Sequence, residues 1–232
     1  MEHNRFFVLL GALTVLFISA PLVRQFGPPD TPLISQASIS ATFVVLLLSA
    51  VFAVARTRST TIAAVSLVVP VTVLEAVQFA YPDLALELPI QLLGIGFLGF
   101  VVFVIVRFIF VTDRVTANTI CAAICVYLLL GVLWALALSV VEIAESDSFT
   151  ASQPEWEGLQ FGSKQSSDAL YFSFVTLTTL GFGDITPSSP TAKMLVAMEA
   201  VVGQLFLTIL VARLVGLHIT QSTSEQRRDN ET

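Results

Sequence analysis

Apolar residues along this chain gather in long unbroken runs, not in the two-residue alternation or the 3.6-residue stripe of a water-soluble fold. Six runs come close to or exceed the roughly 20 residues that cross a hydrocarbon core. They are Phe6 to Val23, Ala37 to Ala55, Ala63 to Tyr81, Leu88 to Val111, Cys121 to Ile143 and Met194 to Leu217. A helix apolar on every face belongs in lipid, so the pattern predicts an all-α membrane protein with six transmembrane helices. Pro70 falls inside the third run, where neighbouring helices in a membrane can satisfy the carbonyl it frees. Arg5 before the first run and Ala20 inside it resemble a secretory signal. Ile18 is a poor residue three positions before a cleavage point, and the run is read as a retained span.

Composition sharpens this picture. The chain has 232 residues, 55% of them hydrophobic and 12% charged, against about a quarter charged in a soluble domain. A net charge of −6 argues against nucleic acid as a partner. Cys121 and Cys125 share one apolar run and read as small residues on one helix face, not as a metal or disulfide pair. The histidines, His3 and His218, lie in or beside polar ends, and no paired acids or metal-spaced ligands occur within the runs. An enzyme and a resident cofactor are therefore not expected.

Orientation follows from the basic residues. If six spans alternate, Arg5, Arg56, Arg58, Arg107, Arg114, Arg213, Arg227 and Arg228 share one side, leaving Arg24, Lys164 and Lys193 on the other. The arginine-rich side is the cytoplasm, which puts both termini inside a cell membrane. The acids Asp83, Glu87, Glu145, Asp147, Glu155 and Glu157 then face outward.

The longest outer loop, between the fifth and sixth spans, holds a second pattern. After a polar stretch containing Trp156, DALYFSFVTLTT runs for about three helical turns from Asp168, an acid suited to the positive end of a helix dipole. It is too short to cross a bilayer. Such a helix followed by Gly-x-Gly at membrane depth must re-enter, its bare backbone buried in protein or lining a water path. In TLTTLGFGDITP, Gly181 and Gly183 allow the positive φ that turns successive carbonyls toward one axis. A stack of carbonyls can replace the water shell of a cation, and Thr179 adds a hydroxyl at the inner end.

Here the sequence resembles the pore domain of potassium channels, whose signature is Thr-x-Gly-Tyr-Gly-Asp. This chain has Thr179, Leu180, Gly181, Phe182, Gly183 and Asp184, with Thr178 ahead of them as in the family's doubled threonine. The resemblance covers outer helix, pore helix, filter and inner helix, roughly Val115 to Leu217. It implies K⁺ held by the carbonyls of Thr179, Leu180, Gly181 and Phe182 and by the Thr179 hydroxyl, with Gly183 completing the filter and Asp184 at the outer mouth. Leu180 stands where valine or isoleucine is commonest. Phe182 replaces a tyrosine whose hydroxyl helps to brace the filter, a departure that bears on rigidity. One filter segment is present and four must surround an ion, so the family's answer is a homotetramer in membrane lipid.

The resemblance divides the chain at 1–114, a four-helix membrane region; 115–217, the pore domain; and 218–232, a polar cytoplasmic tail whose composition reads as disordered. In the sixth span Gly203 stands near the family's hinge glycine, and close packing is an equally good reading of it. Gln204, Leu207, Thr208, Val211 and Val215 share one face assigned to the cavity. Arg213 reads as a snorkelling anchor. Glu199, one turn outward from Gly203, should be buried and partnered behind the filter, near the hydroxyls of Thr176 or Thr178. Six spans with a pore after the fifth share the layout of voltage-gated channels. Yet Arg107 is alone in the fourth span, where a sensor needs several arginines at three-residue spacing. The function implied is a K⁺-selective channel without such a sensor. A non-selective monovalent cation channel or a potassium transporter subunit are the alternatives, and any ligand-sensing domain would be a separate regulatory subunit.

Overall fold

The computed structural model describes residues 5–26, 32–81, 84–112, 115–152, 156, 158–159, 161 and 166–230. His3, Asp83, Arg114, Glu155, Glu157 and Lys164, used above, lie outside the described residues. Among the described residues seven helices occur in the order α1 (Arg5–Phe26), α2 (Pro32–Val54), α3 (Arg58–Ala80), α4 (Glu87–Val111), α5 (Ala117–Ala144), α6 (Ser166–Leu177) and α7 (Pro190–Asn230). Two three-residue strands, β1 (Phe149–Ala151) and β2 (Ile185–Pro187), bracket α6. The chain is therefore mostly helical, with one short ladder that the all-α expectation did not include.

Among the described residues four helices are long and apolar enough to cross a membrane: α3, α4, α5 and the Pro190–Leu217 part of α7. In α1 and α2 the apolar stretches Arg5–Ser19 and Ala41–Val54 are shorter. Helix starts carry the signals that fix them. Thr57 and Thr60 form a reciprocal capping box at α3. The Thr116 hydroxyl accepts the Thr119 amide at 3.3 Å at the start of α5. α3 runs through Pro70 as a single helix.

α5 is the hub. It packs against α1, α4, α6 and α7, and α1 also reaches α6. Of the four long apolar helices α5 is the most buried and the apolar part of α7 the least. α6 is seated on α5 and α1: the Phe174 ring occupies the hollow left by Gly131, where any Cβ would collide with it. Phe17 of α1 meets the same ring edge-on at 4.8 Å.

α7 stays helical to Asn230, across polar residues whose composition predicted disorder. A helix already nucleated by its apolar part gains one bond per added residue, and the Gln, Glu and Arg of this stretch are good helix formers. Arg213 does not snorkel freely. Its guanidinium donates to the carbonyls of Ile109 at 3.2 Å, Thr112 at 3.2 Å and Phe110, closing the C-terminal end of α4, and it lies over the Phe110 ring.

Candidate functional site

The backbone leaving α6 is bonded back onto the helix. The Thr179 amide donates to the Thr176 carbonyl at 2.8 Å and the Leu180 amide to the Val175 carbonyl at 2.9 Å. These two bonds are those of a Schellman ending, which requires a left-handed residue just past the helix. That residue is Thr179, with φ 59°. Glycine is usual at such a place; a β-branched residue there is strained by about 1–2 kcal/mol. Strain of this kind points to a side chain wanted for another purpose.

Positive φ recurs at Gly181 (57°) and Gly183 (77°), so handedness alternates from Thr179 to Gly183. Alternation of this sort removes the strand-like zigzag and lets successive carbonyls face one side. Among the described residues no hydrogen bond is accepted by the carbonyls of Thr179, Leu180, Gly181, Phe182 or Gly183. All five residues are exposed, Leu180 by 59% and Phe182 by 63%. The stretch is a row of backbone oxygens without partners among the described residues, whereas backbone groups in folded proteins are ordinarily paired.

Both ends of the row are held. At the Gly183 end β2 pairs antiparallel with β1, Phe149 opposite Pro187, Thr150 opposite Thr186 and Ala151 opposite Ile185. The Ser152 amide extends the ladder to the Asp184 carbonyl at 3.1 Å. Tyr171 of α6 donates its hydroxyl to Asp184 Oδ2 at 2.8 Å and stacks on Phe182, ring centres 6.4 Å apart. The carboxylate accepting this bond holds the Tyr171 phenol above its ordinary pKa. Tyr171 was missed at the level of sequence, although its place on the short helix, with a polar tip and an acid just past the glycines, was a usable signal.

At the Thr179 end the Thr179 hydroxyl donates to the Thr178 carbonyl at 2.7 Å and receives Gln204 Nε2 at 3.4 Å. Thr178 donates to the Phe174 carbonyl at 2.6 Å, inside its own helix turn. Thr208 likewise turns back to the Gln204 carbonyl at 2.8 Å. Gln204, Thr208, Val211 and Val215 are exposed and Leu207 is half-buried, so the face assigned to a cavity is open. Gly203 is buried beneath α6: a Cβ on it would stand 2.5 Å from the Leu177 carbonyl oxygen. Of its two readings, the geometry supports close packing. Glu199 is fully buried as expected, but its partner is Ser173, not Thr176 or Thr178, with Ser173 Oγ 2.6 Å from Glu199 Oε1.

Comparison with known proteins bears on this arrangement directly. Residues 114–218 match the profile of the family described as "Ion channel". "Two pore potassium channel c" of Oryza sativa is 47% identical over 49 residues, 21% of this chain and 11% of the relative. "Two-pore potassium channel 4" of Arabidopsis thaliana is 48% identical over 48 residues, 21% of this chain and 17% of the relative. Within residues 114–218 the chain is thus similar to ion channels and, over shorter stretches, to potassium channels. "Inward rectifier potassium channel Kirbac3.1" of Paramagnetospirillum magnetotacticum extends the match to 102 residues, 42% of this chain, at 33% identity. The matched part spans under a third of each of these relatives, 28% of the last. No solved structure matches the chain. The matched segment contains α5, the β1–β2 ladder, α6 and the apolar part of α7, and the chain is a membrane protein.

Proposed function

We propose that the protein is the subunit of a K⁺-selective channel in which four copies bring their Thr179 to Gly183 segments around one axis. The observation that carries this reading is the row of unpartnered carbonyls with alternating handedness, fixed at both ends and exposed in the single chain. A carbonyl row on one chain can offer a cation only one side of its shell; four rows close it. The scant burial of α7 and the exposure of Met194, Met198, Val201 and Leu205 agree with a helix that packs against further copies.

In this reading α6 is the re-entrant pore helix, entered from outside, with its negative end aimed at the ions. Thr179 lends carbonyl and hydroxyl, Leu180, Gly181 and Phe182 lend carbonyls, and Asp184 stands at the outer mouth. Gln204 and Thr208 line the water-filled space below. Residues 1–114 form a separate helical region docked on the pore domain, six spans cross the cell membrane, and both termini are cytoplasmic. Arg107 alone in α4 cannot supply the several charges of a voltage sensor.

The test is a reconstituted bilayer under a K⁺ gradient opposed by Na⁺. The reversal potential should follow K⁺, Rb⁺ should pass, and Ba²⁺ should block. Gly181→Ala and Gly183→Ala should each abolish selectivity, because both glycines have positive φ, a conformation a Cβ disfavours. A reversal potential indifferent to K⁺ would leave a non-selective channel or a transporter subunit. Mass measurement in nanodiscs should give four copies of the 25.0 kDa chain.

A further inference from the structure

Glu199 of α7 and Ser173 of α6 are both fully enclosed, and they touch. Ser173 Oγ also lies 2.8 Å from the Gly131 carbonyl oxygen of α5. A serine hydroxyl has one hydrogen. The Gly131 carbonyl can only accept, so if Glu199 were ionised both neighbours of Ser173 would need that single hydrogen. One oxygen would then face another with nothing between them. Glu199 Oε2 has no partner among the described residues, so an ionised carboxylate would sit in the protein interior with at most one neutral donor.

Among the described residues no cation relieves this arrangement. The charged residues of the elements packed around Glu199 lie elsewhere: Glu142 near the end of α5, Asp168 near the start of α6, Lys193 in the first turn of α7. Arg213, further along α7, is held at the end of α4. α1, which also touches α6, carries Arg5 at its start and Arg24 near its end.

A proton on Oε1 fills every contact except Oε2. We propose that Glu199 is a neutral carboxylic acid that donates to Ser173, which in turn donates to Gly131, and that this chain makes Glu199 a positioning residue for the pore helix. The inference rests on the channel reading for its role, not for its proton. The register supports the role: Glu199 meets Ser173 and, one turn along both helices, Gly203 meets Leu177. α7 thus grips α6 at two successive turns, and the second grip is beside the turn that begins the filter.

Infrared difference spectra of the full reconstituted chain at neutral pH test the proton. Wild type minus Glu199→Gln should show a protonated carboxyl C=O band, and Ser173→Ala should move that band to higher frequency as its hydrogen bond is lost. Glu199→Gln, which keeps a neutral donor, should hold open probability within about twofold of wild type, whereas Glu199→Ala should lower it about tenfold, the effect of one unmade buried hydrogen bond. Loss of carboxylate bands in Glu199→Gln, or a band unmoved by Ser173→Ala, overturns the proposal. So does a Glu199→Gln channel as impaired as Glu199→Ala. If Glu199→Ala fails to assemble, the other two variants still decide. The infrared result stands even for a protein that passes no current, so failure of the channel reading and failure of this proposal look different.

Discussion

Gly203 sits directly beneath Leu177, so close that a methyl group on the glycine would come within 2.5 Å of the leucine's carbonyl oxygen and 2.9 Å of its Cδ1. The nearest obstacle is backbone at the end of α6, which cannot swing aside as a side-chain tip can. Gly203→Ala gains about 1 kcal/mol of helix propensity. Overpacking costs about 1–3 kcal/mol, so the balance should be a loss of thermal stability. Lower open probability should accompany it; a variant of unchanged Tm would show that α6 yields freely.

Thr179→Gly should separate fold from function. Relief of left-handed strain is worth about 1–2 kcal/mol and the added freedom of the unfolded chain takes back about 0.5–1 kcal/mol. Stability should therefore stay level or rise, while loss of the hydroxyl weakens K⁺ preference and Ba²⁺ block. Thermal unfolding and reversal potential, measured on the same preparation, check the two signs. A clear fall in Tm would mean the threonine is not strained at that position.

Tyr171→Phe keeps the ring on Phe182 and removes the bond to Asp184, so the outer filter should loosen and steady-state current should decline. Because Asp184 raises the phenol's pKa, the bond adds stability that is fully present below the ordinary tyrosine value near 10 and is lost as pH rises through the raised one. The stability difference between wild type and Tyr171→Phe should be constant through the neutral range and shrink only in strong alkali. A difference that fades between pH 5 and 8 would place the effect elsewhere.

Arg213→Lys retains the charge but cannot span three carbonyls with one planar fork. It should lower thermal stability by about 1–2 kcal/mol, and Arg213→Ala by more, since the last carbonyls of α4 then lose their donor. Equal stability of all three proteins would mean that water replaces the guanidinium without loss.

Much of this was readable because a bilayer imposes blunt rules. The apolar runs behind α3, α4, α5 and α7 announce themselves by length, and the short run from Asp168 to Thr179 overlaps the observed α6 (Ser166–Leu177), which starts two residues earlier and stops two residues sooner. Gly181 and Gly183 are left-handed as their type suggests. Features that depend on three-dimensional register were not readable. The β1–β2 pair joins three-residue strands on either side of α6, too short to show alternation. Ser173 and Thr176 on α6 and Thr178 just past its end are all hydroxyl residues, and only the docking of α7 decides which of them meets Glu199. Thr179 escaped because its positive φ belongs to the ending of α6 and not to its own preference. Arg213 has the composition of a membrane anchor; that three carbonyls wait for it depends on where α4 stops.

The row from Thr179 to Gly183 is an arch with two separate footings, the end of α6 on one side and the β1–β2 ladder on the other. Ordering a backbone residue costs about 1–2 kcal/mol, and here folding meets that cost before any ion arrives. A cation reaching such an arch would exchange water for oxygen without having to organise a loop around itself. Preorganisation of this kind lets a site discriminate by geometry while binding weakly enough to release what it has chosen.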